Sequence, residues 1–313
     1  MKLEKPILVL VNEFLAENSN LESTKDLYKK TLHLWITWMV KNDWPVSEPS
    51  RANLISYREY LRSRSLSLRT IDNYLAAVKQ FTRWLYENNY IEKDIYSGLK
   101  NLRKTNEYLK AALSYEEVDR LLNVTRGESL ISQRDHAIIN LMIFTGMRRL
   151  EVCRCDTRDF YCIDGQWYAR IHGKGHYEKD SEIPITQAIM KPILIYWKQR
   201  GVSGSSDITP AFINHARCSR GRIDPSFLSK MVKKYLRVCG LDDRKYSCHS
   251  LRHTCAVMAL KSGAKVFQIQ QLLRHRSPST TELYLKAIRE ERVLDGAAVF
   301  AIDQYYQKRQ KTD

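Results

Sequence analysis

The chain has 313 residues, longer than a typical single domain, and its 43% hydrophobic content excludes a disordered polymer. No apolar run is long enough to span a bilayer, which sets aside an integral membrane protein. A formal net charge of +16, from 51 Lys and Arg against 35 Asp and Glu, points to a polyanionic partner, nucleic acid first, over the plainer reading of a generically basic soluble protein.

The N-terminal run MKLEKPILVLVNEFLAENSN lacks a small-residue cleavage site and reads as an amphipathic helix over residues 6–17 rather than a signal peptide. Thr24 is expected to cap a second helix carrying Tyr28, Leu32, Trp35 and Trp38/Met39, which stops before a turn at 42–45. Ser50 caps a third, with Leu54, Tyr57 and Leu61 on one side. Ser67 starts a fourth, whose inner stripe is Ile71, Tyr74, Leu75, Val78, Thr82 and Leu85 and which ends near Asn88–Asn89. Connections this short predict a compact helical bundle over residues 1–100. Arg51, Arg58, Arg62, Arg64, Arg69, Lys79 and Arg83 form a stripe mostly of one sign, read either as a solvated face or as a face for the DNA backbone.

Residues 101–112 read as a basic linker, since SGLKNLRKTNEYLK has weak periodicity. Ser114 and Glu117 then have the spacing of a capping box. Helices are expected over 118–124, from about Gln133 to Phe144, and over 147–153, with Gly146 punctuating the last two. Strand-like composition follows at 159–163, 166–171 and 182–185, with Asp164-Gly165 as a two-residue hairpin turn. Gly173-Lys174-Gly175 falls at the next reversal, so the sheet should be small, antiparallel, and present Lys174 at its tip. Further helices are predicted over 187–199, 226–239, 249–262, 266–275 and 279–287. The fold class is therefore mainly α with a small antiparallel sheet. The seven cysteines are odd in number and irregularly spaced, and read as buried thiols rather than as a disulfide framework or a metal site.

Four separated segments carry candidate chemistry: TGMRRLEV (Thr145–Val152), HGKG (His172–Gly175), HSLRHT (His249–Thr254) and LRHRSPSTTELY (Leu273–Tyr284). A guanidinium is a planar fork for two phosphate oxygens, and a histidine can donate or shuttle a proton near neutral pH. His249 and Arg252, three apart, share a helical face, while Leu251, Cys255 and Met258 fall on an apolar one. Arg148 stands at a helix start, with Glu151 placed to hold an arginine or histidine. Lys174 lies between two glycines, and Tyr284 follows His275 by nine residues. Taken singly, each has a bland reading: a surface His–Arg pair, a cap with an ion pair, a turn lysine, a core tyrosine.

Jointly, the order Arg148, Lys174, His249, Arg252, His275, Tyr284 resembles the tyrosine recombinase (phage integrase) family, in its Xer-like and integrase forms, over about residues 6–290. The resemblance implies that residues 1–100 are a core-binding, DNA-binding domain and residues 113–290 the catalytic domain, with 291–313 a tail that docks on a neighbouring protomer or packs on its own domain. It implies that Tyr284 attacks a DNA phosphate to give a 3′-phosphotyrosyl link. Arg148 and Arg252 would clamp the non-bridging oxygens, Lys174 would protonate the leaving 5′-oxygen, and His249 would assist proton transfer or bond a phosphate oxygen. His275 would donate to the phosphate and Glu151 would orient its neighbours. Lys179, in the same hairpin, is the competing candidate for the general acid. No metal or cofactor is implied. The partners implied are double-stranded DNA bearing a recombination site, three further protomers in a homo-tetramer on two sites, and accessory DNA-bending or directionality proteins; no membrane is involved, and the place of action is the cytoplasm of a bacterium, host- or phage-encoded.

Two departures stand out. Where the family often has Leu-Gly-His, this chain has Leu273-Arg274-His275, which removes a tight glycine turn and adds a cation that could touch DNA. Val152 replaces the family's usual leucine. A type IB topoisomerase-like activity and a catalytically idle DNA-binding protein are the alternative readings of the same scaffold.

Overall fold

The computed structural model describes residues 5–19, 22–97, 111–172, 179–202, 208–215 and 221–274. Its contacts divide the chain into two units, Met1–Glu107 and Tyr108–Asp313. The described residues are mostly helical with a small antiparallel sheet, as the sequence pattern predicts.

The first unit holds α1 (Ile7–Glu17), α2 (Glu22–Lys41), α3 (Arg51–Ser63) and α4 (Leu68–Glu87). Ser50 and Ser67 cap α3 and α4 as expected, each accepting a hydrogen bond from the backbone N–H three residues on. Helix α2 begins three residues earlier than a Thr24 cap requires, so Thr24 lies inside its first turn. The helix ends turn through left-handed residues, Ser65 after α3 and Asn89 after α4. The core is aliphatic and aromatic. Trp35, Tyr57, Phe81, Leu10, Leu32 and Met39 are its largest fully buried side chains. Phe14 and Phe81 meet edge to face with centroids 5.5 Å apart, the geometry aromatic quadrupoles favour. Within the basic stripe, Arg62 pairs with Glu59 at 3.4 Å and Arg83 with Glu87 at 2.8 Å, so the face is less uniformly positive than its spacing alone suggests.

The second unit is built around α6 (Leu130–Thr145), whose buried residues Ala137, Ile138, Ile139, Leu141, Met142 and Ile143 lie all around its axis, the mark of a central helix. Around it stand α5 (Tyr115–Thr125), α8 (Gln187–Arg200) and α10 (Cys248–Lys261). The capping box at Ser114 and Glu117 forms: each side chain bonds the other's backbone N–H. Strands β1 (Phe160–Ile163), β2 (Gln166–Ile171) and β3 (Ser181–Ile185) form an antiparallel sheet in the order β1-β2-β3. Phe160, Ala169, Ile171, Ile183 and Ile185 face inward, and Asp164 and Gly165, at φ 49° and 80°, make the primed turn that matches strand twist. Asp159 belongs to a short 3-10 turn rather than to β1, because its carboxylate accepts from the Asp156 N–H at 2.6 Å and ends the extended run. The remaining elements are α7 (Arg149–Arg154), α9 (Pro225–Val238), which Asp224 caps, and α11 (Val266–Leu273). The expected hairpin tip at 173–175 and helix at 279–287 lie outside the described residues.

Candidate active site

Helix α6 ends where Gly146 takes the left-handed conformation at φ 62°. The glycine is required twice there. A side chain would be strained at that φ, and a Cβ would stand 2.6 Å from Cδ2 of Leu273. The close approach brings the end of α11 against the α6–α7 junction. Two residues on, Arg148 is the N-cap of α7 rather than its first helical residue. Glu151, 5% exposed, reaches back to it twice: Oε2 accepts from the Arg148 N–H at 2.7 Å, and Oε1 from Nη1 at 2.5 Å. A carboxylate in the first turn also suits the positive end of the helix. Glu151 thus grips the Arg148 guanidinium and leaves that side chain 25% exposed.

Arg252 arrives from α10, which Leu251, Cys255 and half-buried Met258 anchor in the core as the spacing predicts. Only 2% exposed, its guanidinium donates to the carbonyl of Gly146 at 2.6 Å and to that of Leu273. Arg148 Nη2 donates to the same Leu273 carbonyl at 3.5 Å and to that of Arg274 at 3.3 Å. The two arginines, 104 positions apart in the chain (252 − 148), are therefore fixed to one helix terminus. They line a cleft of about 430 Å³ together with Arg149, Lys233, Ser229, Ser247, Cys248 and exposed His249. Among the described residues, no carboxylate lines it. Such a lining suits an anion whose charge must be stabilised, since preorganised donors in a partly enclosed site act far more strongly than in water.

Arg274 differs from its expected role. Its own backbone takes the left-handed turn, φ 53° and ψ 49°, so the tight turn exists without glycine. Its side chain, 13% exposed, points inward to Glu151 Oε2 at 2.8 Å instead of outward to a ligand. Burial, above all, lowers its guanidinium from the usual arginine value, with Glu151 opposing that shift.

Lys179 is engaged as well. Its Nζ lies 3.2 Å from Asp156 Oδ2 and closer still to Asp159 Oδ2, and Asp156 also receives Arg222 at 2.5 Å. Burial would raise the Asp156 carboxyl, but the hydrogen bonds from Arg222 and Lys179 outweigh it and hold it below the usual range. Lys174, His275 and Tyr284 lie outside the described residues.

Arg149, which donates to Ser229 Oγ at 2.7 Å, and Lys233, which donates to the carbonyls of Asp242 and Asp243 at 2.9 and 2.8 Å, belong to the cleft although neither stands out in sequence. Arg149 at least shares a motif with Arg148; Lys233 has no such signal. Buried His253, one helical turn from His249, has its pKa lowered to about 4, by burial first and the neighbouring His249 second, so it is neutral at neutral pH. Burial pushes the Cys153 thiol up to about 12, and those of Cys248 and Cys255 up to about 11, which keeps them protonated. Among the described residues, no group of three or more His, Cys, Asp or Glu stands close enough to hold a metal ion.

The sequence model of the phage integrase family matches residues 111–291, and that of the phage integrase N-terminal SAM-like domain matches residues 11–89. Tyrosine recombinase XerC of Syntrophus aciditrophicus is 31% identical over 221 residues, 69% of this chain and 68% of the relative. Tyrosine recombinase XerA of Pyrococcus furiosus is 28% identical over 277 residues, 88% and 90% of the two chains. Among solved structures, a XerH site-specific recombinase bound to palindromic difH substrate, a post-cleavage complex, superposes with a TM-score of 0.76 at 18% identity, covering 96% of this chain and 100% of that one. A lambda integrase dimer bound to a COC′ core site gives 0.66 at 14% identity, covering 88% and 93%. At these identities the two solved structures establish the fold.

Proposed function

The chain belongs to the phage integrase family, the tyrosine recombinases, and from that premise we propose how its residues divide the work of a site-specific recombinase, an enzyme that cleaves and rejoins DNA. The observation that carries the reading is the pair of guanidiniums, Arg148 and Arg252, anchored on the Leu273 carbonyl at the edge of a cleft whose described lining holds no carboxylate. Two forks on one side of an anion are suited to the non-bridging oxygens of a phosphodiester, whose charge grows as the phosphorus becomes pentacoordinate.

In the reaction, the Tyr284 hydroxyl attacks the phosphorus and loses its proton. The bond to the 5′-oxygen breaks, leaving a 3′-phosphotyrosyl ester and a 5′-hydroxyl. Lys174 supplies the proton to that oxygen. The engagement of Lys179 by Asp156 and Asp159 supports Lys174 in this role and leaves Lys179 to brace the base of the hairpin. His249, exposed at the cleft, assists the proton transfer at Tyr284 or bonds a phosphate oxygen, and His275 donates to the phosphate. A 5′-hydroxyl of a partner strand then attacks the phosphotyrosine, restores the phosphodiester and releases Tyr284. One phosphate ester replaces another at each step, so the scheme requires no nucleotide hydrolysis.

Residues 1–100 serve as the core-binding domain and 113–290 as the catalytic domain, joined at 101–112 and together holding duplex DNA, with phosphate contacts making affinity salt-dependent. The working assembly is a homo-tetramer on two DNA sites. The tail at 291–313 docks on a neighbour through Ala297, Val299, Phe300 and Ile302, and accessory proteins bend or direct the DNA. The setting is the cytoplasm. No described helix is long and apolar enough to cross a membrane.

The test begins with fragmented genomic DNA of the source organism, incubated with the protein without magnesium, and the SDS-resistant adducts are captured and sequenced. A nicked duplex built from the recovered site should then trap wild type covalently. Tyr284→Phe should give no adduct; an adduct with that variant would remove Tyr284 from its role.

A further inference from the structure

Arg274 stands in the left-handed region, which a side-chain-bearing residue adopts at a cost that glycine avoids. It stands there with its guanidinium turned into the protein, against the one carboxylate that holds Arg148. Glu151 accepts three donors: the Arg148 N–H, Arg148 Nη1 and Arg274 Nη2. A buried carboxylate that grips Arg148 also cancels part of the positive potential Arg148 offers to a phosphate, because the two charges act at nearly the same distance. With Arg274 on the same carboxylate, the group Arg148, Glu151 and Arg274 carries a formal charge of +1. Without it, the group is neutral.

We propose that Arg274 is a positioning residue for the strand-cleavage reaction: by sharing Glu151 it keeps Arg148 both oriented and fully cationic toward the scissile phosphate. The same ion pair ties the end of α11 to the start of α7, so the peptide that leads into the segment bearing His275 and Tyr284 is held beside the fork. The inference rests on the recombinase reading above and concerns a position where this chain departs from its family's usual glycine.

The experiment measures single-turnover cleavage of the nicked duplex built from the recovered site, at saturating protein, for wild type, Arg274→Gly, Glu151→Gln and the double variant. Glycine keeps the backbone turn easy, so Arg274→Gly removes the guanidinium without adding strain. Its cleavage rate should fall by roughly tenfold, within the range by which contacting charged groups couple, while its DNA-binding curve stays unchanged. Removing the carboxylate's charge should remove the need for its second partner, so the double variant should cleave as fast as Glu151→Gln alone. A merely structural role for Arg274 gives instead a double variant slower by the product of the two single defects, and that result overturns the proposal, as does a wild-type rate for Arg274→Gly. Failure of wild type itself to form an adduct overturns the recombinase reading and the inference with it. A wild-type adduct with an unaffected Arg274→Gly sinks the inference alone.

Discussion

The two units bury different things. Among the described residues of the first, the buried polar side chains are neutral: Thr31, Asn53 and Thr82. Its charges stay at the surface, as in the pair Arg62 and Glu59. The second unit buries Arg134, Asp135, Glu151, Asp159, Arg252 and His253. Burying a charge is costly unless a partner and hydrogen bonds offset the desolvation, and Arg134, Asp135, Glu151, Asp159 and Arg252 each have a close partner. An apolar core holds a scaffold at lower cost. The second unit accepts the expense where guanidiniums must be held in place, and at Arg252 the fold and the site share the same side chain.

That contrast can be broken most forcefully at Asp135. Its carboxylate holds Arg134 at 2.6 Å and accepts from Tyr235 at 3.1 Å, so Asp135→Ala should lose on the order of 3–5 kcal/mol in denaturant unfolding by stranding a buried guanidinium. A loss under about 1 kcal/mol would show that the buried ions of this unit are no more structural than surface ones. Next in size, Arg148→Ala should slow covalent adduct formation by roughly a hundredfold or more while leaving DNA affinity and the unfolding midpoint near wild type, because in the proposed reaction it removes a transition-state donor and one of many phosphate contacts. A loss confined to binding would contradict the clamp.

His253 sharpens the comparison through pH. Its folded pKa of about 4 lies below the ordinary 6.5, so between those values the unfolded chain binds a proton that the folded one refuses. Stability from this group is complete above pH 6.5 and is lost as pH falls toward 4, by about 3 kcal/mol over the window. His253→Leu should flatten that part of the stability–pH curve; an unchanged slope would refute the assignment. Smallest of all, Arg62→Ala in the bundle should change stability by less than about 0.5 kcal/mol, measured in the same unfolding assay.

Local signals made much of this legible. Ser50, Ser67 and Ser114 cap helices with side chains that act within four residues, so their sequence context carries the whole interaction. The Asp164-Gly165 turn is similarly self-contained. Glu151 could be assigned a holding role because it lies one helical turn from Arg148. What could not be read depends on distant partners. Thr24 has the chemistry of a cap, but α2 extends past it. Arg274 in a left-handed turn contradicts residue preference and makes sense only once Glu151, 123 positions earlier, is in place. Lys174 is the favoured candidate in sequence and Lys179 its competitor, and the partners of Lys179, Asp156 and Asp159, are 23 and 20 positions away and cannot be read from its local context. Lys174, His275 and Tyr284 rest on the family's motif order alone.

The carbonyl of Leu273 accepts from both Arg148 and Arg252. A single peptide oxygen thus links the two guanidiniums. Displacing the terminus of α11 would therefore take one partner from each guanidinium at the same moment, while Glu151 keeps its grip on Arg148 and the Gly146 carbonyl keeps Arg252.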